Sequence, residues 1–459
     1  NLIVGQPYQL QLTASNNPIS FAIKGLPKGL VFNSKTGLIS GRPTEIKAIN
    51  NIEVIATNKA GPSAKVTDTF AVTGLLAGTS GSFTGPLGRS GGLNDLLGGA
   101  VKLDISSFGS LSGTITLGKT APYRIGAPLD TSAASPTAHF HIERKGLPEL
   151  HIELTLDIAA KTIFGEISDD KEVLPFVARQ ALSSVGNFSG DYTFALPLSE
   201  SDIGDPTIPQ GHSIGAFKIA AAGATTGVVV TADNNKITFG AALEIDGKLT
   251  LFGPLYKGAG SVVGLLSIDS ATSDLTLSEV SWFKDVVAKD LVYGDGFGPL
   301  ELGTIGRKYT TPALNALALG ATAGASNARI TFAEASAPNP VTRLNTGLKI
   351  EAAKVTAATP NAGKVTLSID KGKVGSFTPG TSGSFKGSFE LTDSDTSVTP
   401  NKPLTRKSEF QGMIVDNGTE VKGYGFFILP KMPTASPKTT LATSPRLSGS
   451  VLLEKVNLE

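Results

Sequence analysis

Apolar and polar positions alternate along this chain in short runs, and Gly, Pro, Asn and Asp punctuate them at close intervals. A period of two with frequent turn residues predicts β-strands joined by tight connections. Between the N-terminal region and residue 182, such runs fall at 101–105, 111–117, 123–127, 138–145, 150–158 and 162–167. A second set falls at 192–196, 215–220, 227–231, 236–239, 249–252, 261–268 and 275–282. A third falls at 328–332, 348–352, 364–369, 387–391, 410–415, 423–429 and 447–453. Connections this short force antiparallel neighbours, so each set predicts a meander that closes into a barrel or folds over as a sandwich. Two stretches, 172–182 and 312–319, have room for about two turns of helix, although Pro175 interrupts the first. Residues 214–232 form the most apolar stretch, but Lys218 and three glycines break it. It predicts two strands and a turn, and no membrane span.

The N-terminal residues have a more specific pattern. Residues 25–44 read GLPKGLVFNSKTGLISGRPT, and ATNKAG follows at 56–61. Turn residues Pro27, Gly29, Asn33, Gly37, Gly41 and Pro43 bracket two very short apolar runs, the pattern of a small β-sandwich. This spelling resembles the immunoglobulin-like domain family of large bacterial surface proteins, over about the first 73 residues. The resemblance implies a spacer or binding module outside the cell, and points away from catalysis. The later strand-and-turn run, with Gly423-Tyr-Gly-Phe-Phe-Ile-Leu-Pro430 and Leu447-Ser-Gly-Ser-Val-Leu-Leu453, is similar to the β-strand-repeat surface proteins of the Planctomycetes and Verrucomicrobia type. That similarity brings no catalytic residues with it.

A loose internal repeat supports modules. Gly81-Ser-Phe83-Thr-Gly85 recurs as Gly186-Asn-Phe188-Ser-Gly190 and again as Gly383-Ser-Phe385-Lys-Gly387. Residues 111–117 are echoed at 447–453. Spacings near a hundred residues imply repeated β-domains, too long a period for a solenoid coil. The expected organisation is an immunoglobulin-like sandwich at 1–74 and β-modules at 78–182, 183–290 and 291–459.

Composition narrows the function classes. Forty basic residues balance 39 acidic ones, so nothing in the charge favours nucleic acid or an anionic membrane as partner. Cysteine is absent from all 459 residues, which fits an exported bacterial protein. The first strand region begins at once, at Asn1-Leu-Ile-Val-Gly-Gln-Pro-Tyr8, and this reads as a mature or truncated piece of a longer protein. A sandwich short of an edge strand would invite a strand from another subunit.

Candidate chemistry is sparse. Three of the four histidines fall in one hairpin. Alternation puts His139, His141 and Glu143 on one face of the outgoing strand, with His151 and Glu153 on the same face of the return. The turn allows His141 to sit beside His151 and His139 beside Glu153, so these four could bind zinc or another divalent ion. The same residues would also serve as an ordinary solvated face. Loop carboxylates Asp169, Asp170, Asp202, Asp205, Asp393 and Asp395 could take calcium, or could cap turns. No nucleophile elbow, HExxH or P-loop is spelled out. A sugar platform could draw on Tyr123, Tyr192, Phe252, Tyr256, Trp282, Tyr293, Phe297 and Tyr309, although such rings are more often core and Trp282, alternating with Val280, should face inward. Intramolecular Lys–Asn cross-links are chemically possible, with no pair singled out. The expectation is a non-enzymatic, all-β, extracellular structural or adhesive protein, self-associating or binding other surface proteins through sheet edges. A glycan-binding module, with or without calcium, is the alternative.

Overall fold

In the computed structural model the described residues are 2–313, 315–335, 340–352, 354–360, 363–373 and 378–456. Their regular secondary structure is almost entirely strand. The chain divides into two compact units. One is Asn1–Gly85 with Ala100–Thr116 and Ala121–Gln180; the other is Pro86–Gly99, Leu117–Thr120 and Ala181–Glu459.

The N-terminal sandwich is small. One sheet runs Leu2–Ile3, Val66–Thr73, Lys47–Asn58, Ser20–Lys24, and a second runs Tyr8–Gln11, Leu38–Gly41, Leu30–Asn33. Leu2, Val4, Leu30, Ile39 and Val72 make its core, with Tyr8 edge-on to Phe70 at 5.7 Å. The motif's turn residues have identifiable roles. Asn33 Oδ1 accepts from the amides of Lys35 and Thr36 at 3.0 and 3.1 Å. Gly29 sits at φ +88°, where an added Cβ would lie 2.1 Å from the Arg42 carbonyl. The first strand is present but short, pairing in parallel at Val72 and Thr73 only. Gln6 ties this sandwich to the rest of its unit: Nε2 donates to Leu129 O at 2.9 Å, and Oε1 accepts from Thr131 N at 3.1 Å.

Three eight-stranded meanders follow. In the first, Gly81–Leu87, Gly99–Ile105, Ser110–Leu117, Tyr123–Pro128, Thr137–Ile142, Leu150–Asp157, Thr162–Ser168 and Val173–Gln180 run in order, and the first strand pairs with the last. The sheet curls into a near-barrel whose one seam lies between Tyr123–Pro128 and Thr137–Ile142. Alternation is strict: Ile152, Leu154 and Leu156 are buried while Glu153 and Thr155 face out.

The second near-barrel repeats the plan. Gly190–Leu196, Ser213–Ile219, Ala224–Val230 and Lys236–Ala242 form one sheet; Lys248–Leu255, Gly260–Ile268, Leu275–Lys284 and Phe297–Leu302 form the other. Ile305–Lys308 continues the last strand onto Gly190–Leu196, so first again meets last. The third runs Ala328–Ala333, Thr346–Ile350, Val355–Ala357, Gly363–Asp370, Ser384–Asp395, Lys402–Asp416, Val421–Pro430 and Arg446–Lys455, closed by Ala328–Ala333 against Arg446–Lys455. Within the second unit, Met413, Val415, Tyr424 and Phe426, on the outer face of this third sheet, join the core of the second near-barrel.

Several expectations are corrected here. Residues 172–182 are not helical: Val173–Gln180 is a strand with Leu174, Phe176 and Ala178 buried, and Pro175 is exposed on its outer face. Of 312–319, Leu314 lies outside the described residues, and Ala318–Gly320 is a single 3₁₀ turn. A boundary after residue 290 would cut the second near-barrel, because Phe297–Leu302 and Ile305–Lys308 complete it. The GxFxG echoes do not mark one module position. The first opens the first strand of its sheet, the second is a 3₁₀ turn ahead of a first strand, and the third opens a fifth strand.

A different feature recurs through the sheets, and only the third echo takes part in it, through Phe385 and Gly387. In all three near-barrels a phenylalanine ring lies over a glycine directly across the ladder: Phe176 over Gly165, Phe194 over Gly215, Phe239 over Gly227, Phe410 over Gly387, Phe385 over Gly412 and Phe427 over Gly449. A Cβ on Gly165, Gly215 or Gly412 would sit 2.3, 2.2 or 2.1 Å from the ring's Cζ. Glycine lets the sheet bend sharply, and the ring fills the space its missing side chain leaves. Gly215→Ala is therefore expected to cost about 1–3 kcal/mol by overpacking. In a Phe194→Ala background the same change should be neutral or stabilising, since Gly215 has no positive φ to protect. Urea titrations of the four proteins measure the coupling, and equal costs in both backgrounds would refute it.

Candidate functional site

The histidine hairpin lies at the seam of the first near-barrel. Thr137–Ile142 is the end strand of its sheet, and it pairs with Leu150–Asp157. The register sets His141 opposite His151 and His139 opposite Glu153, as alternation predicted. Ala138, Leu150 and Ile152 are buried on the opposite face, which anchors the hairpin.

The turn is clamped. Arg144 Nε donates to Pro148 O at 2.7 Å, and its guanidinium meets Asp169 in the adjacent turn at 3.2 Å, both side chains nearly buried. Burial alone would push the Asp169 carboxyl up, but the amides of Lys171 and Glu172 and the Arg144 guanidinium hold it below the usual range. This clamp fixes where Glu149 leaves the turn.

On the polar face the rings gather. His139 and His141 have centroids 4.8 Å apart, and His141 and His151 are edge-on at 4.6 Å. His139 Nε2 and His141 Nε2 are 3.0 Å apart. The other nitrogens turn to carboxylates: His139 Nδ1 is 3.6 Å from Glu153, and His141 Nδ1 is 3.8 Å from Glu149. Potential ligand atoms of His141, Glu149 and His151 all fall within 4.8 Å of one another. Sequence reasoning missed Glu149. It precedes His151 by two residues, so extending the alternation one step back would have found it. Glu143 stands on the outgoing strand's side of the turn and takes no part in this group.

The loop carboxylates are occupied with turns and ion pairs. Asp205 caps a turn by accepting from the Thr207 hydroxyl and amide, which holds its carboxyl low, and Asp395 does the same with Ser397. Asp202 accepts from Ser199 Oγ at 2.9 Å. Asp170 is exposed beside the Asp169 turn. Asp393 lies inside the strand Ser384–Asp395, not in a loop, and sits between Arg406 and Arg343 at 2.7 and 2.8 Å. Two guanidiniums there take the place that a cation would need.

Six of the eight aromatic candidates belong to the core of the second near-barrel or pack against it, and Phe252, next to the core residue Leu251, lies on the other face of its strand. Tyr192, Trp282, Tyr293 and Phe297 are buried, and Tyr123, Phe252, Tyr256 and Tyr309 are half-buried. Trp282 Nε1 donates to Tyr256 Oη at 3.0 Å, and that hydroxyl reaches Asp233 at 2.5 Å. The ammonium of Lys284, fully buried, sits 2.7 Å from Asp290 and 4.5 Å above the Tyr256 ring. Trp282 and Tyr256 thus belong to an internal polar network, not a platform.

The comparisons with known proteins fit the first domain. Residues 1–74 match the family model described as "Putative Ig domain", and the N-terminal domain is immunoglobulin-like. No curated protein matches the chain. Among solved structures, the crystal structure of the isotype 1 transferrin binding protein B from serogroup B Neisseria meningitidis is similar at 11% identity. The match covers 90% of this chain and 85% of that one with a TM-score of 0.20, a superposition too loose to support an argument. No helix among the described residues is long and apolar enough to cross a membrane.

The fourth histidine stands apart. His212 packs edge-on to Tyr424 at 5.4 Å, and its Nδ1 has no hydrogen-bond partner. Burial lowers its pKa from 6.5 to about 4. The unfolded chain therefore takes up a proton that the fold excludes. Stability should be complete above about pH 6.5 and decline toward pH 4, by up to about 1.4 kcal/mol per pH unit. Chemical denaturation between pH 4.5 and 7 checks this: His212→Phe should flatten the slope, and an unchanged slope would exclude His212 as its source.

Proposed function

We propose that this is a non-catalytic structural protein of the bacterial cell surface, assembling through the open strand edges of its immunoglobulin-like domain. The observation behind this reading is the contrast between the domains. Each near-barrel joins its first strand to its last and so leaves few free edges. The N-terminal sandwich does the opposite. Ser20–Lys24 and Leu30–Asn33 stand at the ends of their sheets, and Val66–Thr73 is covered on one side by two residues.

Exposed branched side chains mark each of these edges. Ile19 is 57% exposed, Val31 64% and Val66 62%. Unpaired strand edges with apolar side chains accept strands from a second chain, gaining backbone hydrogen bonds and apolar burial together. The cysteine-free composition and the immunoglobulin-like domain agree with an exported location. The near-barrels would act as stiff spacers that resist proteases, because most of their apolar side chains are interlocked in closed sheets.

Light scattering and negative-stain microscopy of the purified chain test the reading. The wild type should form linear or layered assemblies as concentration rises into the micromolar range and above. Val31→Lys and Ile19→Lys, which put charge on exposed edges without touching the core, should keep it monomeric. A wild type that stays monomeric at millimolar concentration would refute the proposal.

A further inference from the structure

The geometry points to a divalent transition-metal site on the seam hairpin of the first near-barrel, with Zn²⁺ the ion best matched to its donors. His141, His151 and Glu149 supply the ligand atoms, and His139 joins from the next outward position of the strand.

The arrangement of the ring nitrogens carries the argument. The Nε2 atoms of His139 and His141 converge to 3.0 Å. A tetrahedral ion with Zn–N bonds of about 2.0–2.1 Å places neighbouring ligand atoms about 3.3 Å apart, so a small ring rotation satisfies it. The Nδ1 atoms of the same rings face Glu153 at 3.6 Å and Glu149 at 3.8 Å. His139, binding through Nε2 while presenting Nδ1 to Glu153, is held in the right tautomer and made a stronger donor, whereas Glu149 stands close enough to His141 to share its ion. His151 comes from the paired strand with its ring 4.6 Å from that of His141, so the donors come from two strands.

The support beneath the site is rigid. The His141–His151 pair is fixed by a continuous antiparallel register from Thr137 to Ile142. The Arg144 clamp on Pro148 and Asp169 holds the turn from which Glu149 projects. Imidazole and carboxylate donors suit zinc, and also cobalt, nickel or copper, better than calcium, which prefers oxygen alone. The group is exposed on one side, which leaves room for water or for a donor from another molecule as a further ligand.

Isothermal titration of the full chain with ZnCl₂ tests the site, with Co²⁺ as a spectroscopic stand-in whose visible absorption reports tetrahedral coordination. One equivalent should bind and raise the melting temperature. His141→Ala and His151→Ala should each abolish measurable binding, while Glu153→Gln should weaken it by about tenfold. His212→Phe should leave it unchanged. All the substituted hairpin side chains are exposed or half-buried, so the metal-free variants should melt with the wild type, which separates lost binding from lost folding. Absence of stoichiometric binding in the wild type, or wild-type affinity retained in His141→Ala or His151→Ala, would overturn the assignment.

Discussion

The near-barrels depend on one packing constraint: a phenylalanine ring needs a glycine directly across the ladder. Eight strands enclose a narrow interior, and sheets that close so tightly must bend more than an ordinary pleat allows. A residue without Cβ permits the bend, yet leaves a hole and a floppier strand. Laying a ring into that hole removes both costs, which is why Phe176, Phe194, Phe385 and Phe427 pair with Gly165, Gly215, Gly412 and Gly449. The composition shows the same constraint: 53 glycines and 22 phenylalanines, against seven tyrosines and one tryptophan. Phenylalanine suits the role because its ring brings no polar group into a dry interior.

Polar groups that do enter the interior are paired with care. Lys284 is neutralised by Asp290 and covered by the Tyr256 ring, and Arg406 is held by Asp393. Removing one partner of such a pair strands the other, so these contacts specify the packing more than they strengthen it. His212 solves the same problem by staying neutral. Reactive side chains are thus committed to packing, turns and ion pairs, and the histidine hairpin is where titratable groups gather without a structural duty.

Much of this was legible in the sequence, for reasons that differ by level. Alternation gave the strands and even the pairing of His141 with His151, because a tight hairpin with one buried face leaves a single register open. The N-terminal sandwich was legible because its turns demand particular residues, as Asn33 and Gly29 show. The strand at Val173–Gln180 was misread in part because Pro175 and short-range apolar spacing obscure alternation, whereas pairing across the ladder decides it. Asp393 was placed in a loop because the strand runs on past Leu391 to Asp395, a length set by its partner Lys402–Asp416. The Phe–Gly pairs were hidden for a different reason: they join residues on neighbouring strands, up to 27 positions apart for Phe385 and Gly412 (412 − 385).

The seam connects the barrel plan to the hairpin chemistry. A meander closed by its first and last strands must break its ladder somewhere, and in the first near-barrel the break falls beside Thr137–Ile142. Beyond a single backbone bridge from Thr137 to Asp130, that strand is laddered along one side, so its hold on the sheet rests on the Leu150–Asp157 ladder, the Arg144 clamp and the small apolar face of Ala138, Phe140 and Ile142. Cross-strand coordination at His141 and His151 would add a link of a different kind at this position, outside the core and independent of the backbone ladder. A polar cluster there costs the interior nothing, since its face points to solvent, and a bound ion would reinforce an end strand of the sheet. The same site on a central strand would add little, because two ladders already hold that strand in register.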